Sequence, residues 1–254
     1  MTKQPASYSD DHQKQSLNRF LGKLIEQYGT EVEAAQFIQA NLHDPSIREK
    51  RINQCMEKND YEQVIQLALD GEKMDREYRG RVKKWQEKRY AAYKALAWKD
   101  EQRSLAKMLF MDGDFGYYKD LKALADNPTN FYLRLKQELK EQPGGQALYL
   151  FERLIEEAQD YAELIEFVQK HPEYIEEHAI ALYPVYPQMV QEIYKDEIYL
   201  EARKASNRSA YRVVCFMIGR YGEAVGEKAV QEIVDELKVT YKRKRAFLDE
   251  LGKV

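Results

Sequence analysis

Two stretches of the chain hold side chains of the kinds that do chemistry. His171-Pro-Glu-Tyr-Ile-Glu-Glu-His178 gathers two imidazoles and three carboxylates in eight residues, the donor types that ligate divalent metals. A helical metal site needs its ligands on one face, and His171 and His178 lie two turns apart. The Glu-x-x-His step of carboxylate-bridged bundles would need Glu where Ile175 stands. Glu173 and Glu177 do share a face, which reads as a solvated acidic helix surface, so no metal is expected. Asp112-Gly-Asp-Phe-Gly116 contains the letters of the kinase magnesium triplet, but no glycine-rich loop, strand lysine or His-Arg-Asp loop accompanies it. As a calcium loop it fails as well, because the twelfth position from Asp112 is Ala123 rather than Glu. A turn is the remaining reading. No Walker loop, Gly-x-Ser-x-Gly or His-Glu-x-x-His occurs, and His12 and His43 are the only other histidines. The expectation is a protein that is not an enzyme and needs no cofactor; a site assembled from residues far apart in sequence is the alternative this leaves open.

Charge is more informative than catalysis. From Lys73 to Arg89 eight basic residues face three acids, a local +5, with Tyr78, Trp85 and Tyr90 interleaved. Basic residues with aromatics suit a phosphate backbone or single-stranded bases. Arg79, Arg81, Lys84, Trp85, Lys88 and Arg89 are therefore the candidate partner-binding residues. On a helical wheel Arg81, Lys84 and Lys88 share one line, with Arg76, Arg79 and Lys83 on a second. The bland reading of the same stretch is an exposed helix with Val82 and Trp85 turned inward. Lys242-Arg-Lys-Arg245 is a smaller basic cluster. Ala147 to Glu201 is the opposite, thirteen acids against three basic residues and a local −10. Such opposed patches fit a charged partner, head-to-tail self-association or plain solvation.

The elements that must position these groups read almost entirely as helix. A short signature recurs three times between amphipathic stretches: Asn59-Asp60-Tyr61, Gly113-Asp114-Phe115 and Gln159-Asp160-Tyr161. Asp accepts hydrogen bonds from the free N–H groups of a first turn, so each copy predicts a tight turn opening a second helix. Thr30 with Glu33 predicts a capping box, and Asp44-Pro45 a start with proline at the first helical position. Met74 to about Leu96 shows no internal breaker except Gly80. Gln142-Pro-Gly-Gly145 is the clearest interruption and the candidate subdomain joint. No stretch alternates like a strand. The signatures are spaced 54 and 46 residues apart, which excludes a strict 34-residue tetratricopeptide period.

The chain is 254 residues long, with 33% charged residues and a formal net charge of −3, so the total implies neither nucleic acid nor acidic membrane. Cys55 and Cys215 stand far apart, giving no disulfide framework and fitting a reducing cytoplasm. The apolar runs are too short to span a bilayer. Residues 1–9 are polar and are expected to be disordered. Nineteen tyrosines against nine phenylalanines suit thin helical layers or an exposed binding face, since Tyr joins apolar bulk to a hydroxyl.

Asn207-Arg208 with Tyr211, and then Tyr241-Lys-Arg-Lys-Arg-Ala-Phe-Leu-Asp-Glu-Leu251, resemble the closing segment of the helical, tetratricopeptide-like regions that follow SWIM zinc fingers in bacterial proteins. Gly113-Asp-Phe-Gly-Tyr-Tyr-Lys-Asp-Leu121 resembles another segment of those regions. Together these cover under a fifth of the chain. The family's finger carries a Cys-x-Cys and Cys-x-His pattern, which is absent here, so the resemblance implies the helical module without its zinc finger. Contact with nucleic acid or protein is attributed to that finger and transfers to no residue of this chain.

The resulting expectation is an all-α chain: a right-handed α-solenoid of stacked helical hairpins, a degenerate TPR/HEAT-like superhelix forming a single domain over 1–254. Units that cannot bury their own apolar faces stack on neighbours and leave a groove. A non-catalytic cytoplasmic scaffold that binds a protein or peptide partner is the expected function. The alternative is a nucleic-acid-associated accessory module using residues 73–89.

Overall fold

A computed structural model describes residues 17–254 apart from Arg19 and Glu26; the expectation for residues 1–9, and His12, lie outside the described residues. The protein is all-α, 81% helix, with no strand among the described residues. The described residues of 17–28 are helical, and their apolar side chains Leu17, Phe20, Leu21 and Leu24 remain exposed. The helices that follow are α1 (Glu31–Ala40), α2 (Pro45–Glu57), α3 (Tyr61–Met74), α4 (Arg79–Ala95), α5 (Lys99–Met111), α6 (Tyr118–Ala123) and α7 (Pro128–Glu141). Then come α8 (Gly145–Glu157), α9 (Tyr161–Lys170), α10 (Ile175–Leu182), α11 (Pro187–Lys204), α12 (Arg208–Val225), α13 (Glu227–Thr240) and α14 (Arg245–Leu251). The chain divides into two compact units, Met1–Arg134 and Leu135–Val254. That division falls inside α7, short of the Gln142–Gly145 interruption, which is the turn between α7 and α8.

The turn signature has a backbone reason. Asn59, Gly113 and Gln159 take positive φ values of 57°, 101° and 52°. Just after each, the N–H of Asp60, Asp114 and Asp160 bonds to the carbonyl of Cys55, Leu109 and Ile155. This is the six-to-one bond of the Schellman motif, which satisfies carbonyls the ending helix leaves free. The same Asp then opens the next element: Asp60 accepts from Gln63 N–H at 3.4 Å and Asp160 from Glu163 N–H at 3.2 Å. Asp114 accepts from Gly116 N–H at 3.1 Å and opens a 3₁₀ turn, Phe115–Tyr117, ahead of α6. A fourth copy joins α4 to α5. Ala97 has φ 55°, and Trp98 N–H bonds to Tyr93 carbonyl, but Trp98 stands where the other copies have Asp. The capping box at Thr30 and Glu33 and the Asp44-Pro45 start both form.

In the first unit α3 packs on α4 and on α2, and α4 on α5. Trp85 lies against α3 at Gly71, where an added Cβ would meet the indole Cδ1 at 2.8 Å. The continuous stretch expected from Met74 to Leu96 is broken at residues 75–78. Its cause is Asp75, which turns into the core and accepts from Trp85 Nε1 at 2.8 Å and Arg48 Nη1 at 3.1 Å. Gly80 is no breaker and sits in the first turn of α4.

In the second unit α12 packs on α10, α11, α13 and α14. Tyr194 and Tyr221, both fully buried, meet edge to face at 5.3 Å. Burial pushes the Tyr221 hydroxyl pKa up to about 12. Several residues that carry the family resemblance close this unit. Asn207 caps α12, Arg208 pairs with Asp249 at 2.9 Å, and Tyr211 stacks on Phe247 at 4.7 Å. Lys244 lies over Tyr211 and Tyr241 and donates to Ala205 carbonyl. This part of Lys242–Arg245 thus performs a folding task.

Candidate functional site

The six residues singled out for partner binding fall on α4 and divide by their surroundings. Trp85 is core, 1% exposed. Arg81 reaches Asp75 at 3.3 Å and lies over the Tyr78 ring. Lys84 pairs with Glu49 at 2.7 Å, and Lys88 donates to Asn53 at 2.9 Å. Arg89 grips Glu72 with two bonds of 2.8 and 2.9 Å, the planar fork geometry that favours Arg over Lys. Lys83, from the second basic line, pairs with Asp114 at 2.8 Å. Arg79 alone of the six is exposed without an ion pair among the described residues. The structure therefore places Arg81, Lys84, Trp85, Lys88 and Arg89 along the seam that docks α4 onto α2 and α3, and leaves Arg79 outside it.

At the centre of that seam Arg48 is 1% exposed, and its guanidinium lies 5.5 Å from the Trp85 ring centroid. Burial pulls the Arg48 pKa down, opposed by the Asp75 carboxylate beside it. A buried cation of this kind persists only when paired and hydrogen-bonded.

The histidine-rich stretch resolves differently from its sequence. His171 and His178 face separate surroundings, and His178 finds its partner on α8. His178 Nε2 and Glu152 Oε1 share a hydrogen bond of 3.0 Å, both residues being buried. With the neighbouring Glu177, these are the His, Asp, Glu or Cys groups among the described residues placed to hold a metal, their ligand atoms within 4.8 Å of one another. Glu177 is exposed, and the two buried donors already satisfy each other, as a helix-to-helix hydrogen bond does. Glu152 gave no signal in the sequence, because it is 26 residues from His178.

A cleft of about 460 Å³ opens in the second unit between the α7–α8 turn and α9. Leu139, Leu148, Phe151 and Phe167 form its apolar wall, and Lys140, Lys170 and His171 bring polar atoms to it. The Phe167 ring meets Phe151 at 6.0 Å and His171 at 5.0 Å, tilted in both pairs. Beneath the rim, Lys136 bonds Asp160 at 2.9 Å and Glu163 at 3.1 Å, and Lys140 also bonds Glu163. Burial pushes the Glu163 carboxyl up, but the two ammonium groups outweigh it and hold the group below its usual range. Lys170 is exposed and has no ion pair among the described residues. Gly144, with φ 111°, starts α8 without a side-chain cap. The joint and the apolar period of α8 are legible in the sequence, but nothing local says that Lys170 and His171 return to that joint.

No protein-family model matches this chain, and neither the curated proteins nor the solved structures contain a match. No helix among the described residues is long and apolar enough to cross a membrane.

Proposed function

We propose that the chain is a non-catalytic helical scaffold whose second unit binds a segment of another protein in the cleft beside Lys170. The segment places an apolar side chain against Phe151, Phe167 and Leu148, and an acidic flank against Lys170. The observation that carries this reading is the pairing of an aromatic-walled cleft with an exposed ammonium that has no ion pair among the described residues. Ligand sites characteristically combine an apolar lining with a few polar groups that fix orientation. The buried charged and imidazole groups Arg48, Asp75, Glu152 and His178 are held in structural bonds, which supports a binding role over catalysis. The finer fold reading, a degenerate TPR/HEAT-like α-solenoid akin to SWIM-associated helical regions, belongs to the same proposal. It is supported by consecutive helices packing on their neighbours within each unit. So is the cytoplasm as its place of work, supported by two cysteines with no disulfide between them.

The test is affinity capture from the source organism with the wild type, Lys170→Glu and Leu148→Asp, each with and without nuclease. Helical content measured by circular dichroism checks that the variants fold. A protein retained after nuclease and lost from both variants, whose acidic–apolar segment then binds the wild type at least tenfold more tightly, is the expected result. Capture unaffected by both variants overturns the cleft reading. Recovery that collapses with nuclease transfers the function to nucleic acid and residues 73–89.

A further inference from the structure

Within its own stretch His178 has no second imidazole in reach, because His171 lies two turns away. The fold sets Glu152 of α8 beside it instead. Glu152 Oε1 lies 3.0 Å from His178 Nε2, and both residues are buried. A carboxylate oxygen of Glu177 completes a set of three, the ligand atoms all within 4.8 Å of one another. Zinc bonds nitrogen and oxygen at about 2.0–2.2 Å, which in tetrahedral geometry sets neighbouring ligand atoms about 3.3–3.5 Å apart. The buried edge of 3.0 Å is thus a few tenths of an ångström from a coordination edge. Glu177 is exposed, so its carboxylate is free to swing in and close the remaining distance.

We propose that Glu152, Glu177 and His178 bind one divalent transition-metal ion of the zinc class, which clips α8 to α10. The Glu152–His178 hydrogen bond is the metal-free form of the same contact. Nε2 coordinates through its lone pair, with the ring proton held on Nδ1. An imidazole ligand selects zinc-class ions over magnesium or calcium, which take oxygen donors. Two carboxylates neutralise the dication, which offsets the cost of placing it beside buried groups. The exposed Glu177 marks the side from which the ion enters and leaves a fourth position for water. Helical proteins build metal sites in this way, from side chains on facing helices. In this chain α8 and α10 each pack on α9, and the ion adds a direct link between them. The role is structural and stands apart from the partner cleft.

Titration of the full chain with Co²⁺, whose visible spectrum reports the ligands around it, tests the proposal. The expected spectrum saturates at one equivalent, is displaced by Zn²⁺ and survives excess Mg²⁺. Glu177→Gln changes an exposed residue and leaves the Glu152–His178 bond in place, and circular dichroism checks that it folds. It weakens Co²⁺ binding about tenfold or more. His171→Asn, outside the set, leaves the affinity unchanged. Excess Zn²⁺ raises the thermal midpoint of the wild type by mass action, and raises that of Glu177→Gln less. No saturable spectrum, an affinity unchanged in Glu177→Gln, or binding lost in His171→Asn overturns the proposal.

Discussion

The basic segment of α4 and the rim of the cleft at Lys170 invert their local charge. Residues 73–89 carry a formal +5, yet Arg81, Lys84 and Arg89 face Asp75, Glu49 and Glu72, and Lys88 faces an amide. Residues 147–201 carry −10, yet Lys170 among them has no ion pair among the described residues. A charge count runs along the chain, whereas the field at a surface is set by what the fold places within a few ångströms of each charge. Beyond a screening length of about 8–10 Å the remainder of the count matters little. A run of cations therefore says first that a helix has acidic neighbours to dock on. A single cation stranded on an acidic helix is the better pointer to a partner.

The comparison breaks most forcefully at Asp75. Asp75→Asn keeps the shape and removes the charge that compensates Arg48, leaving a buried guanidinium beside an amide. The expected loss is about 3–5 kcal/mol, read as a lower urea midpoint with an unchanged slope. A loss below about 1 kcal/mol would mean that α4 is held by something else and that its charges are free to serve a partner. Gly71→Ala attacks the same seam by volume alone. Its Cβ would approach the Trp85 ring at 2.8 Å, and overpacking of this kind costs about 1–3 kcal/mol. If the variant is as stable as the wild type, Trp85 has room to move and the seam is looser than its contacts imply.

What was legible in the sequence is what local bonding decides. Thr30 with Glu33, Asp44 with Pro45, and the three Asp-containing turns act within five residues, so their letters suffice. The break after Met74 was not legible, because Asp75 turns inward to meet Arg48, 27 residues earlier. The Glu152–His178 bond was hidden in the same way. The candidate site was legible in its parts and not in its assembly: the Gly144–Gly145 joint, the apolar period of α8 and His171 were all visible. Their meeting at one cleft depends on how α9 packs on α8. The fourth turn escaped because Trp98 replaces the capping Asp, although the backbone path is the same.

That fourth turn gives the next effect in size. Ala97 adopts φ 55°, where its Cβ crowds the backbone and only glycine is unpenalised. Ala97→Gly is expected to stabilise the protein by about 1 kcal/mol, measured by thermal or urea unfolding. Asn59→Gly, at φ 57°, is expected to gain less, since Asn tolerates this region. Equal gains at both sites would show that the backbone strain, and not the side chain, is shared between the copies.

The smallest effect bears most directly on the comparison. Lys84 and Glu49 meet at 2.7 Å but are 46% and 33% exposed, so solvent screens the pair and its net worth is about 0–1 kcal/mol. Lys84→Gln should lower stability by that small amount and lose its effect as salt is raised. Lys170→Gln removes a charge with no ion pair and should change stability by no more than about 0.5 kcal/mol at any salt concentration. The two substitutions thus separate a cation used in folding from one left for binding. If Lys170→Gln proved the costlier and salt-sensitive change, Lys170 would be a structural charge, and the partner site would have to be sought on α4 at Arg79.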